Sequence, residues 1–135
     1  MDKITSHKDL IVWQKAINLA CEVYAATELL PREERYGLKA QLRQAAISIA
    51  SNIAEGSARR SRLEFIHFLH ISRASLAELE TQYLIATRQK MMGDTHATLD
   101  HIAEVGRLLN ALIRSLASSN RRAHAQACAP LTANR

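Results

Sequence analysis

Four stretches of this chain place apolar residues at steps of three and four, and each stretch is closed by a helix-breaking or helix-capping signal. That period is the pitch of an α-helix, whose one face recurs every 3.6 residues. The first stretch carries Leu10, Trp13, Ile17, Ala20 and Tyr24, with a second row, Val12, Ala16, Leu19, Val23 and Ala26, about 100° away. The second carries Leu38, Leu42, Ala45, Ile49 and Ile53. The third carries Phe65, Leu69, Ser72, Leu76, Leu79, Tyr83 and Ala86, and the fourth Leu99, Ile102, Val105, Leu109, Leu112 and Leu116. Four amphipathic helices joined by short links must run antiparallel to bury their stripes together. The fold class is therefore all-α, an up-down four-helix bundle.

Boundary signals place the helices at about 9–27, 32–56, 62–90 and 95–118. Pro31 suits a first helical turn, where its missing N–H costs nothing, and Glu33 and Glu34 favour the positive end of a helix dipole. Ser61-Arg62-Leu63-Glu64 has the spacing of a capping box. Met92-Gly93-Asp94 interrupts the third pattern, and Asp94 or Thr95 can cap the fourth. Beyond Ser118 the periodicity stops, so residues 1–118 are expected to form the bundle and 119–135 a flexible tail.

The two apolar rows on the first helix are more than a bundle helix needs. The excess points to coverage by another subunit. No run of 18 uncharged apolar residues exists, so no membrane span is expected. The opening MDKITSHKDL has no apolar core of a secretory signal. Cys21 and Cys128 lack paired spacing, which fits reduced thiols in the cytoplasm.

Catalytic and metal chemistry find little footing. Glu64-x-x-His67 is half of a di-iron bundle site, but the fourth helix offers Glu104-x-x-Arg107 and not the matching half. His67 and His70 could share a zinc ion only with further ligands, which the sequence lacks. No Ser, Cys or Thr sits with a base and an orienting group, and Glu55-Gly56-Ser57 is no phosphate loop. The expectation is a protein without catalytic residues, metal or cofactor.

Charge is more informative. The chain has 18 Lys and Arg against 13 Asp and Glu. Residues 105–135 hold five Arg and no acid. Residues 35–62 hold Arg35, Lys39, Arg43, Arg59, Arg60 and Arg62 against the single acid Glu55. The first three form a stripe at steps of four, and the last three cluster at the corner between helices two and three. Such local imbalance suits an anionic partner, bound through phosphates in a salt-sensitive way, although ion pairs with Glu22, Glu28, Glu78 or Glu80 would satisfy the same residues. The six aromatics mostly fall on or beside apolar rows, which assigns them to the core and not to stacking platforms. Ser48, Asn52 and Glu55 make a polar line beside Ile49 and Ile53. It is either a solvent-facing row or a packed seam that fixes register.

These residues carry a likeness. The run Asp9 to Ala16, containing Trp13, resembles the opening of the family of proteins encoded in intervening sequences of 23S rRNA genes. Ser48-Ile49-Ala50-Ser51-Asn52-Ile53-Ala54-Glu55-Gly56 resembles its S-I-x-x-N-I-A-E-G pattern. Tyr36-Gly37-Leu38, Gln41-Leu42-Arg43 and Ser75-Leu76-x-Glu78-Leu79-Glu80 also fit, so the likeness spans about residues 8–115. The resemblance implies a four-helix bundle assembled as a ring-shaped homopentamer, with no established catalysis. The family is similar to the accessory protein of diversity-generating retroelements, a basic pentameric barrel that binds nucleic acid and a reverse transcriptase. Trp13, Ser48, Asn52, Glu55 and Gly56 are then structural or oligomer signatures. The expected function is an oligomeric scaffold that contacts RNA or DNA phosphates, led by Arg59, Arg60 and Arg62 and supported by Arg35, Lys39 and Arg43. The alternative is a homo-oligomeric ring that holds a protein partner without nucleic acid.

Overall fold

The structure, a computed structural model, describes residues 6–127. Four helices follow in order: α1 (Ile11–Thr27), α2 (Leu38–Ser57), α3 (Arg62–Arg88) and α4 (His96–Ala127). Each packs against its neighbours in sequence, and α4 closes the square against α1. The expected antiparallel four-helix bundle is present. Its core is filled by Leu19 and Val23 from α1, Leu42, Ile49 and Ile53 from α2, Leu69, Leu79 and Tyr83 from α3, and Ile102, Val105 and Leu109 from α4.

Three boundaries differ from expectation. A short 3-10 turn, His7–Asp9, precedes α1, with the Ser6 hydroxyl accepting from the Lys8 N–H. Leu10 is extended, so α1 begins at Ile11. Pro31 opens a second 3-10 turn, Arg32–Glu34, and not α2 itself. The chain turns again at Gly37, and a Glu34 carboxylate oxygen accepts from the Leu38 N–H at 3.0 Å to start α2. A Cβ at Gly37 would stand 2.8 Å from that oxygen, so glycine leaves room for the cap.

The third difference is at the end of the chain. α4 continues to Ala127, nine residues past its expected end at 118. Residues 119–127 were expected to be flexible because they have no apolar stripe. They nevertheless hold three Ala, two Arg and one Gln, helix formers that can extend an existing helix. The rest of the expected tail, residues 128–135, lies outside the described residues.

α3 keeps its expected start. The Ser61 hydroxyl accepts from the Glu64 N–H at 3.3 Å. At its other end the Lys90 N–H reaches Thr87 O and the Met91 N–H reaches Ala86 O, each at 3.0 Å. This is a Schellman closure, with Lys90 at φ 56° where glycine is usual.

The α2–α3 pair is the most extensive contact in the bundle. Its signature residues show why. The Ser72 hydroxyl donates to Ile49 O at 2.8 Å, and the Ser48 and Ser75 hydroxyls lie 2.9 Å apart. Asn52 Nδ2 donates to Ser48 O and Oγ. A Cβ on Gly56 would fall 2.6 Å from Phe68 Cβ. Ser48, Asn52 and Gly56 thus belong to a close helix seam. Glu55 does not. It is exposed and pairs with Arg59 at 3.1 Å.

On α1 the row Val12, Ala16, Leu19 and Val23 is buried, together with Thr27. Of the other row, Leu10 is buried, Trp13 and Ala20 are half-buried, and Ile17 and Tyr24 are exposed. Trp13 packs against the core and takes the His7 ring edge-on at 5.0 Å. The apolar excess on α1 is therefore real surface.

Candidate nucleic-acid interface

The six basic residues nominated by sequence fall at two ends of the bundle. α2 has 20 residues, about 30 Å of helix, between the Arg35–Lys39 region and the Arg59–Arg62 corner. They do not form one continuous site.

Near the start of α2, Arg43 is committed to structure. Its Nε donates to Thr27 Oγ1 at 2.9 Å, and its Nη2 donates to Tyr24 O at 3.1 Å and to a Glu28 carboxylate oxygen at 2.6 Å. The guanidinium also lies 4.4 Å from the Tyr24 ring centroid. It closes the carbonyl end of α1, where the helix dipole favours a cation. The Arg43 hydrogen bond, aided by the charges of Lys39 and Arg43, holds the Glu28 carboxyl below its usual pKa. Lys39 reaches the same carboxylate more loosely, at 3.9 Å. Arg43 is thus a structural clamp and not a free phosphate contact, which corrects its expected supporting role.

At the far end, the link between α2 and α3 sets Arg59, Arg60, Ser61 and Arg62 around a cleft of about 230 Å³, closed by Phe65 and by Leu116 of α4. Arg59 is held by Glu55 and lies 5.0 Å from the Phe68 ring. Arg60 and Arg62 are exposed and form no ion pair among the described residues. Leu116 shows that α4 passes this end of the bundle. Arg114, exposed on α4, lies two residues before Leu116, whereas Arg107 lies two turns earlier, beside Gly106 and Asn110, which meet Leu76 and Arg73 in the middle of α3. The sequence shows the corner and the helix-four arginines as separate zones; the antiparallel fold brings Arg114 toward the corner's end of the bundle and leaves Arg107 mid-helix.

Of the competing acids, Glu28 pairs with Arg43 and Lys39, while Glu22 and Glu78 are used elsewhere. A Glu22 carboxylate oxygen accepts from the Thr98 hydroxyl at 2.7 Å, and its other oxygen lies 2.6 Å from His101 Nδ1. Glu78 accepts from Gln82. His67 and His70 are exposed, and His70 meets Arg73 at 3.0 Å. Among the described residues no three His, Cys, Asp or Glu converge on a possible metal, and no helix is long and apolar enough to cross a membrane.

Two aromatics depart from their assignment to the core: Tyr24 on α1 is exposed, and Tyr36 more so. Tyr36 is 86% exposed. It follows a 3-10 turn and precedes α2, so helical periodicity, which the core assignment relied on, does not apply to it. The signal available was its position next to Arg35 and Gly37, outside any stripe.

Fold and charge together define a helical bundle with an arginine cluster at the corner between α2 and α3. The chain belongs to the 23S rRNA-intervening sequence protein family, whose profile matches residues 8–111. It is similar to the crystal structure of a protein of unknown function from the S23 ribosomal protein family of Bacteroides thetaiotaomicron. The two share 24% identity and a TM-score of 0.72, over 79% of this chain and 98% of the other. That likeness concerns the fold. No functionally curated protein matches the chain.

Proposed function

We propose that this protein is a non-enzymatic, oligomeric scaffold that grips nucleic-acid phosphates at the arginine corner. The observation that carries this reading is the placement of Arg60 and Arg62. Both are exposed and unpaired among the described residues, beside an arginine-bearing α4. Cations left without acids bind phosphates by releasing condensed counterions, so affinity is electrostatic and falls steeply with salt. The corner offers no ladder of base-reading side chains in a groove-sized helix, so contact is to the backbone of the nucleic acid.

Assembly into a ring of five, which the family likeness implies, is supported by the outward apolar surface of α1. Ile11, Ile17 and Tyr24 are exposed there, and Ile47 is exposed on α2. A ring would repeat the arginine corner around its axis and raise avidity without new contacts. The same surface supports the second reading, a ring that holds a protein partner. Gel retardation of RNA and of duplex DNA at about 50 mM salt, where phosphate contacts are strongest, separates the two. Retardation that vanishes with Arg60→Glu/Arg62→Glu supports the scaffold reading. Wild-type protein that retards neither nucleic acid leaves the protein-partner reading.

A further inference from the structure

We propose that the cleft at the start of α2, opposite the arginine corner, takes a single nucleotide unit, with its base stacked on Tyr36 and its phosphate held by Arg32, Arg35 and Lys39. This goes beyond the corner arginines and does not depend on them. The cleft has a volume of about 580 Å³, within the roughly 300–1,000 Å³ range of small-ligand sites. Leu30, Pro31 and Ala40 give it an apolar lining, and Leu30 is buried. Its cations are Arg32, Arg35, Lys39 and Arg43, and no acid lines it.

The nearby carboxylates are accounted for. Glu28 is bound by Arg43 and Lys39. Glu34 caps Leu38. Glu33 is exposed and does not line the cleft. Arg43 is fixed to α1, so it contributes field and not reach. Arg32 and Arg35 form no ion pair among the described residues, and the Arg35 guanidinium lies 5.4 Å from the Tyr36 ring centroid. The guanidinium thus lies over one face of the ring, which puts platform and cation on adjacent residues and leaves the opposite face for a base. An 86% exposed tyrosine beside free arginines over an apolar floor matches the two halves of a nucleotide, a flat base and an anion. A bare phosphate would leave the ring and the floor unused. A duplex would offer no unstacked base.

The test is fluorescence anisotropy of the full chain with a labelled single-stranded oligonucleotide of about a dozen nucleotides, against the same sequence as duplex. Tyr36→Ala is expected to weaken single-strand binding by roughly 5- to 150-fold, the effect of losing one base–aromatic stack, and Tyr36→Phe to retain it. Duplex binding, which needs no stack, is expected to be unchanged by either. Displacement of the single strand by adenosine monophosphate, lost in Tyr36→Ala, would show that a free nucleotide also fits. Its failure to compete would place the unit within a strand. Tyr36 is surface-exposed, so the variants should fold, and a thermal melt checks this. Three results would overturn the proposal: wild type that binds no single strand, Tyr36→Ala that binds as wild type does, or Tyr36→Ala that loses assembly mass by light scattering. A chain that retards duplex through Arg60 and Arg62 yet ignores single strands fails here while the corner reading stands.

Discussion

Arg43 Nε donates to the Thr27 hydroxyl at 2.9 Å, tying the first half of α2 to the last turn of α1. Thr27 is fully buried, and its hydroxyl donates a hydrogen bond to Val23 O at 2.7 Å. One guanidinium thus satisfies a side chain, a helix-end carbonyl and a carboxylate. Arg43→Ala should lower stability by about 2 kcal/mol, the range for hydrogen bonds from a charged donor. Arg43→Lys should recover only part of that, because an ammonium cannot reproduce the planar fork. Chemical denaturation midpoints measure both. A loss near zero would reduce the clamp to an ordinary surface ion pair.

Gly56 reverses the usual glycine-to-alanine gain in helices. A Cβ there would stand 2.6 Å from Phe68 Cβ and 2.9 Å from Phe65 Cδ2. Gly56→Ala should cost about 1–2 kcal/mol by forcing α2 and α3 apart. A thermal melt with a raised midpoint would show that the seam has slack.

The Tyr83 hydroxyl is buried on α3 and has no hydrogen bond among the described residues. Burial pushes its pKa up to about 12, and the Glu22 carboxylate adds to this. The neighbouring Thr98 hydroxyl, which donates its own hydrogen bond to Glu22, offsets part of the shift, and by more than Glu22 adds. A folded pKa above the unfolded value means stability that is full below about pH 10 and is lost as pH rises toward 12. Tyr83→Phe should abolish that alkaline loss. At neutral pH it should be neutral or up to about 1 kcal/mol more stable, since a buried unpaired hydroxyl is removed. Unfolding curves across pH 7–11 read both effects, and a marked destabilisation at neutral pH would reveal a missing partner.

Lys90 sits at φ 56° at the close of α3, a conformation that costs a side-chain-bearing residue about 1 kcal/mol. Lys90→Gly should therefore stabilise by about 0.5 kcal/mol after the entropy of the unfolded chain is counted. Lys90→Ala should give no gain. Equal midpoints for the two variants would contradict the Schellman assignment.

Ser61, the four stripes and the apolar excess on α1 were legible in the sequence because each is a local pattern with a fixed period or spacing. The Ser48–Asn52 seam was legible as a polar line, but its partner Ser75 lies 27 residues away, and only packing pairs them. Arg43 could not be separated from Arg35 and Lys39 by spacing, since its fate depends on where α1 ends. Tyr36 was misplaced because Gly37 and the Glu34 cap delay α2 until Leu38, which takes Tyr36 off the helical period. The helical run to Ala127 was missed because a stripe reports burial, and α4 beyond Ser118 is helical without one.

The central claim is phosphate contact at Arg60 and Arg62, and its most direct measurement is the salt dependence of binding to duplex DNA. Wild type should show log affinity falling linearly with log salt, and Arg60→Glu/Arg62→Glu should reduce that slope by about 2, one for each phosphate contact removed. A double variant with the wild-type slope and affinity would contradict the account.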